Sequence, residues 1–136
     1  MRYMFYRNTV VEDIDVSGWT VPNIDLSCNY MFSGCTNLKH VRGALSFAKT
    51  YSFSSMFKNC SSLITCGITN FGFDDTSDTI TLDLSASAVL DAATMITNME
   101  TNSSGKTRIL KLNSTVLAGL SSDITALAAS KNITLQ

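Results

Sequence analysis

Four cysteines, Cys28, Cys35, Cys60 and Cys66, and a single histidine, His40, are the residues of this 136-residue chain best equipped for chemistry. A thiolate-rich zinc site draws on close ligand pairs such as Cys-x-x-Cys. No two of these cysteines stand close enough in the chain to form such a pair. They read as buried, reduced thiols acting as small hydrophobes, with no metal and no cofactor. Cys35 with His40 is the enzymatic alternative, a Cys/His nucleophilic pair. Against it, His40 lies between Leu38 and Val41 in an alternating stretch, where it is expected to face away from the thiol, and no third orienting group accompanies the two. The chain is therefore read as not an enzyme. Asp74, Asp75 and Asp78 could offer oxygen ligands to calcium, but the acidic spacing and glycine of an EF-hand loop are missing, so a solvated loop is expected. No glycine string builds a phosphate cradle. Asn59, Asn102, Asn113 and Asn132 each begin a glycosylation sequon, of little weight where 34 of 136 residues are Ser or Thr.

The elements that would position these residues are set by repetition. Met-Phe recurs at Met4-Phe5, Met31-Phe32 and Met56-Phe57, at nearly equal intervals. Equivalent offsets then carry Asn8, Cys35, Cys60; Val11, Leu38, Leu63; Ile14, Val41, Cys66; and Val16, Gly43, Ile68. Apolar residues at alternate positions give each unit one short strand. A unit of about 25 residues buries its apolar face only by stacking on its neighbours, so Met, Phe, Leu and Cys are expected to form ladders, with Leu38 and Leu63 buried. Trp19 and Phe71 fall at equivalent points, whereas the middle unit offers Ser46 with Phe47 beside it. Trp19 reads first as part of a structural ladder and second as an aromatic anchor for a partner.

Beyond Phe73 the pattern changes. DDTSD reads as a turn and Ile80, Leu82 and Leu84 as an alternating strand. A helix carrying Val89, Ala92, Ala93, Ile96 and Met99 is expected next, capped by Ser87 and stopped between Asn102 and Gly105. KTRILKLN reads as a strand with Ile109 or Leu110 and Leu112 inward. A second helical segment then carries Ile124, Leu127 and Ala128, capped by Ser121 or Ser122, and ends near Lys131. Asn132 takes the left-handed position and Ile133 to Leu135 a last strand. This predicts one α/β domain over residues 1–136. Residues 1–73 form a solenoid of short parallel strands, and residues 74–136 a β-α-β-α-β capping unit.

MFSGCTNLKHV and MFKNCSSLITC, with the phrases Asp25-Leu26-Ser27 and Asp83-Leu84-Ser85, resemble the BspA-like leucine-rich-repeat proteins, whose unit runs about as Met-Phe-x-x-Cys-x-x-Leu-x-x-Leu-Asp-Leu-Ser. The match covers roughly residues 3–73. The later portion looks like the terminal unit that follows such repeats in proteins of gut Bacteroidales and their phages. Asn8 departs from the pattern where Cys is expected, and Gly43 to Ser55 match poorly. The resemblance implies a non-catalytic binding or structural module, displayed extracellularly on a bacterial cell surface as an adhesin-like protein or carried on a phage virion, often attached to a larger fibre.

Composition agrees with a recognition role. Charge is low and balanced, ten basic against eleven acidic residues, leaving no basic face for nucleic acid or anionic lipid. No apolar run approaches the roughly 20 residues of a membrane span, so no membrane insertion is expected. MRYMFYRNTVVED lacks the pattern of a signal peptide, leaving open a longer precursor or release by lysis. Protein or glycan partners are expected, with Tyr3, Phe5, Tyr6 and Trp19 as candidate contact residues. The chain enters its first unit at once, so its N-terminal end is expected to dock against another subunit or an upstream segment.

Overall fold

The computed structural model describes all 136 residues as a mixed α/β fold of short parallel strands in three small sheets, with three helices and no closed barrel. Strands β1 (Asp13–Asp15), β3 (His40–Phe47) and β5 (Thr65–Phe71) form the first sheet in that order. Its register follows the repeat: Asp13 faces His40 and His40 faces Thr65, and Ile14, Val41 and Cys66 align one row further. The second sheet pairs β2 (Leu26–Ser27) with β4 (Thr50–Ser52). The third contains β6 (Thr79–Asp83), β7 (Thr107–Lys111) and β8 (Thr134–Leu135), with α1 (Ala92–Asn98) between the first two strands and α2 (Ser114–Ala118) and α3 (Ser122–Ser130) between the last two.

Stacking is what lets such short strands form. Each Met-Phe turn repeats two left-handed residues, Tyr3 and Arg7 in the first unit, Tyr30 and Gly34 in the second, Ser55 and Asn59 in the third. The chain therefore curves identically each time, and the turns superpose. Phe5, Phe32 and Phe57 stack with ring centroids 5.4 and 5.2 Å apart. Leu38 and Leu63 are fully buried, as the offsets require, and 32 buried apolar residues form one continuous core from Ile14 to Ile133.

Several expectations need correction. Gly43 is not an inward strand position. Val41 pairs with Cys66 but Leu45 with Ile68, so residues 42–44 bulge out and Leu45 fills the core instead. The bulge brings backbones into contact: a Cβ on Gly43 would lie 2.6 Å from the Ser17 amide nitrogen, and one on Gly67 only 1.8 Å from the Gly43 carbonyl oxygen. Downstream of the bulge Phe47, not Ser46, stands opposite Phe71. The first helix of the tail begins at Ala92 rather than after Ser87, because the Asp91 carboxylate accepts from the Thr94 amide at 3.1 Å. Ser87 is buried and donates its hydroxyl to the Leu63 carbonyl at 2.7 Å, while Val89 is exposed. The second helical segment is two helices broken at Gly119, the latter capped by Ser121. Asn132 adopts the left-handed conformation expected of it.

The tail holds one charged residue inside the core. Arg108 points inward with Leu110 and Leu112 and is completely buried. Its guanidinium donates to the carbonyls of Gly72 (2.8 Å), Asp75 (2.9 Å), Ser77 (3.1 Å) and Thr107 (2.9 Å), tying down the turn over residues 72–78. Burial lowers its pKa, opposed by the nearby Asp75 charge.

Candidate contact site on the first unit

Positions one before each repeat methionine turn at least partly outward, as do those two after the first and third, whereas Ser33, two after the second, is buried; the phenylalanines, Cys35 and Cys60 turn in. In the first two units those outward positions carry Tyr3, Tyr6 and Tyr30, and the left-handed backbone at Tyr3 and Tyr30 (φ 60° and 59°) lays their rings on one another. Their centroids are 5.1 Å apart and the planes differ by 2°. Tyr6 stands edge-on to both, at 5.4 Å from Tyr3 and 6.3 Å from Tyr30. The Arg7 guanidinium lies 5.2 Å above the Tyr6 ring. Arg2 bridges outward from the same turn, donating to the Ser27 hydroxyl at 3.1 Å and to the Tyr51 phenol at 3.4 Å. Tyr3, Tyr6 and Tyr30 thus gather in one cluster beside Arg7, and Arg2 links the same turn to the Tyr51 phenol.

Of the four sequence candidates, Tyr3 and Tyr6 belong to this surface, 53% and 42% exposed. Phe5 and Trp19 lie on the other side of the turn. They are half-buried, stack on each other at 6.1 Å, and pack against the core. Tyr30, Tyr51, Arg2 and Arg7 were missed. Tyr30 was within reach, since it follows Tyr3 by the same interval that separates Met31 from Met4, but Tyr51 has no tyrosine at its repeat equivalents. Such a surface offers ring faces for stacking against apolar faces of sugars or side chains, phenols for hydrogen bonds, and cations that strengthen the rings' hold on a partner.

Around this surface the first unit is unusually apolar. Tyr3, Met4, Tyr6, Val10 and Ile24 are five of the eight exposed large hydrophobic side chains in the chain, and β1 is an edge strand. Asp13 and Asp15 guard that edge with charge. Arg42 holds the Asp13 carboxyl below its usual range through a two-pronged ion pair, with contacts at 2.6 to 2.9 Å.

The other chemistry-bearing residues do not converge. His40 faces outward with Nδ1 3.1 Å from the Thr65 hydroxyl. Cys35 points inward, its thiol donating to the Phe5 carbonyl at 3.0 Å, and Cys60 does the same to Phe32. Asn8, at their equivalent place, instead accepts from the Val10 and Val11 amides. All four thiols are free and buried, and burial pushes Cys60 and Cys66 up to about 12. In the acidic turn Asp75 is buried and accepts from the Ser77 amide, while Asp78 pairs with Lys106 at 2.6 Å. No three His, Cys, Asp or Glu side chains come together in metal-ligating geometry. No helix is long and apolar enough to cross a membrane. Comparison with family models, curated proteins and solved structures finds no match to this chain.

Proposed function

We propose that this chain is a non-enzymatic recognition and structural module, a leucine-rich-repeat-like solenoid of the BspA-like kind. It makes protein or glycan contacts at a bacterial cell surface through the tyrosine cluster of its first two units. The observation that carries this reading is the packing of Tyr3, Tyr6 and Tyr30 into one cluster with the Arg7 guanidinium over the Tyr6 ring. Rigid aromatic side chains supply contact area at little ordering cost, and the stacked turns hold them in place before a partner arrives. A phage virion component is the second reading. It is favoured by the apolar first unit and the open edge of β1, which suit docking of that end against another subunit or an upstream segment.

The test is a binding survey on immobilised neutral glycans, acidic glycans and extracellular matrix proteins, run with the native chain and with Tyr3→Ala and Tyr6→Ala. Each truncation is expected to weaken saturable binding by about tenfold or more, the loss of one aromatic hot spot. Binding that neither variant changes, or no binding to any of the three classes, overturns the proposal.

A further inference from the structure

β5 has a strand on one side only. β3 pairs with it there, and α1 packs against its other edge, in the place a further strand of the sheet would hold. Backbone bonds clip this segment at both ends, from the Asp91 amide to the Ile64 carbonyl at 2.7 Å and from the Glu100 amide to the Thr69 carbonyl at 2.8 Å. A paired strand would lie about 4.8 Å from β5, whereas a helix about 10 Å across cannot come so close along its length. A cleft of about 570 Å³ is left between α1 and the outward bulge of β3.

The sheet side of the cleft is nearly bare. Gly43, Ala44 and Gly67 line it, so no long side chain stands in the way of a flat ligand. The opposite wall is polar: Asp91, Thr94 and Asn98 follow one another at helical spacing on one face of α1, and all three are exposed. The Asp91 carboxylate is held in place by the Thr94 amide and hydroxyl, which donate to it at 3.1 and 2.7 Å, and it has no cationic partner in the chain. Arg42, on the rim, is already paired with Asp13. The cleft therefore carries one uncompensated negative charge.

We propose that this cleft binds a neutral pyranose. The hydroxyls of a sugar ring match a carboxylate and an amide carried on one helix face: Asp91 accepts from them, and Asn98 both accepts and donates. The bare wall of Gly43, Ala44 and Gly67 receives the C–H face of the ring, and the volume falls in the range of small-ligand pockets. A sugar acid is disfavoured, because its carboxylate would meet Asp91 with no free cation to offset the repulsion. No tyrosine lines the cleft, so the inference does not rest on the tyrosine surface.

Amide chemical shifts of the full chain test it, in NMR titrations with the methyl glycosides of galactose, mannose and N-acetylglucosamine and with methyl glucuronide. At least one of the three neutral glycosides is expected to shift the Gly43, Gly67, Thr94 and Asn98 amides saturably, and the glucuronide to bind more weakly than that glycoside by about tenfold or more. Asp91→Asn, which keeps a capping side chain, and Asn98→Ala are each expected to weaken the binding by about tenfold with the rest of the amide spectrum native, while Tyr3→Ala leaves it unchanged. Four amides unmoved by all three neutral glycosides, a glucuronide that binds equally well, native affinity in Asp91→Asn and Asn98→Ala, or loss of binding in Tyr3→Ala would each overturn the proposal.

Discussion

Gly67→Ala isolates the close approach of neighbouring units. The added Cβ would fall 1.8 Å from the Gly43 carbonyl oxygen, where even the tightest tolerated contact is 3.0 Å, so β3 and β5 must part at the bulge. Gly67 does not sit at positive φ, so alanine fits the local backbone and the penalty is purely one of packing between strands. Restricting the unfolded chain favours alanine by about 0.4–1 kcal/mol. Overpacking a filled site costs about 1–3 kcal/mol, and disturbing a ladder hydrogen bond adds about 1 kcal/mol. The expected outcome is a net destabilisation of about 2–3 kcal/mol, read as a lower urea midpoint by circular dichroism and by Trp19 fluorescence. Gly18→Ala is the control, since nothing lies within 4 Å of its Cβ and its φ is not positive; it should hold or raise the midpoint. Equal midpoints for the two variants would refute the close stacking of β3 on β5.

Three further outcomes follow from the packing and the charges. Arg108→Met should lower stability by about 2–4 kcal/mol, because the carbonyls of Gly72, Asp75 and Ser77 lose their donor inside the fold, and proteolysis should then begin within residues 72–78; a native urea midpoint would contradict this. Cys60 and Cys66, with native pKa near 12 against an ordinary 9.0, should resist thiol reagents until the chain unfolds. Because their native pKa is raised, the stability they contribute is complete below pH 9 and is lost as pH rises toward 12, so an unchanged urea midpoint across that range would count against their burial. Asp83 is held below its ordinary 3.8: burial opposes this, but hydrogen bonds from Ser85 and Lys111 outweigh it. Its contribution should be whole above about pH 4 and fall as pH drops through the lowered native value, and Asp83→Asn should flatten that acid limb of a urea midpoint against pH curve.

The repeat was legible because equal residues at equal offsets demand equal environments: Cys35 and Cys60 use their thiols identically, and Leu38 and Leu63 fill the same place in the core. What escaped were departures from periodicity. The bulge at residues 42–44 falls where the repeat begins to match poorly, and only strand pairing exposes Leu45 as the inward residue. Arg108 occupies an apolar position for the sake of four carbonyls, three of them from a distant turn, which no local pattern records. Ser87 and Asp91 are both competent caps by type, and the choice falls to Asp91 because Ser87 is drawn to the Leu63 carbonyl. Half of the contact site was legible in Tyr3 and Tyr6. The remainder required knowing that the turns of successive units lie on one another, and that Arg2 reaches Tyr51.

Since the chain contains only four tyrosines, 3-fluorotyrosine labelling places one fluorine reporter at each of Tyr3, Tyr6, Tyr30 and Tyr51 and nowhere else, and so reports directly on the proposed recognition surface. Fluorine NMR during titration with whichever glycan or protein binds in the survey reads the surface directly. Shifts or broadening of the Tyr3, Tyr6 and Tyr30 resonances that saturate with the binding isotherm are predicted. Saturable binding that leaves those three resonances unmoved would contradict this reading.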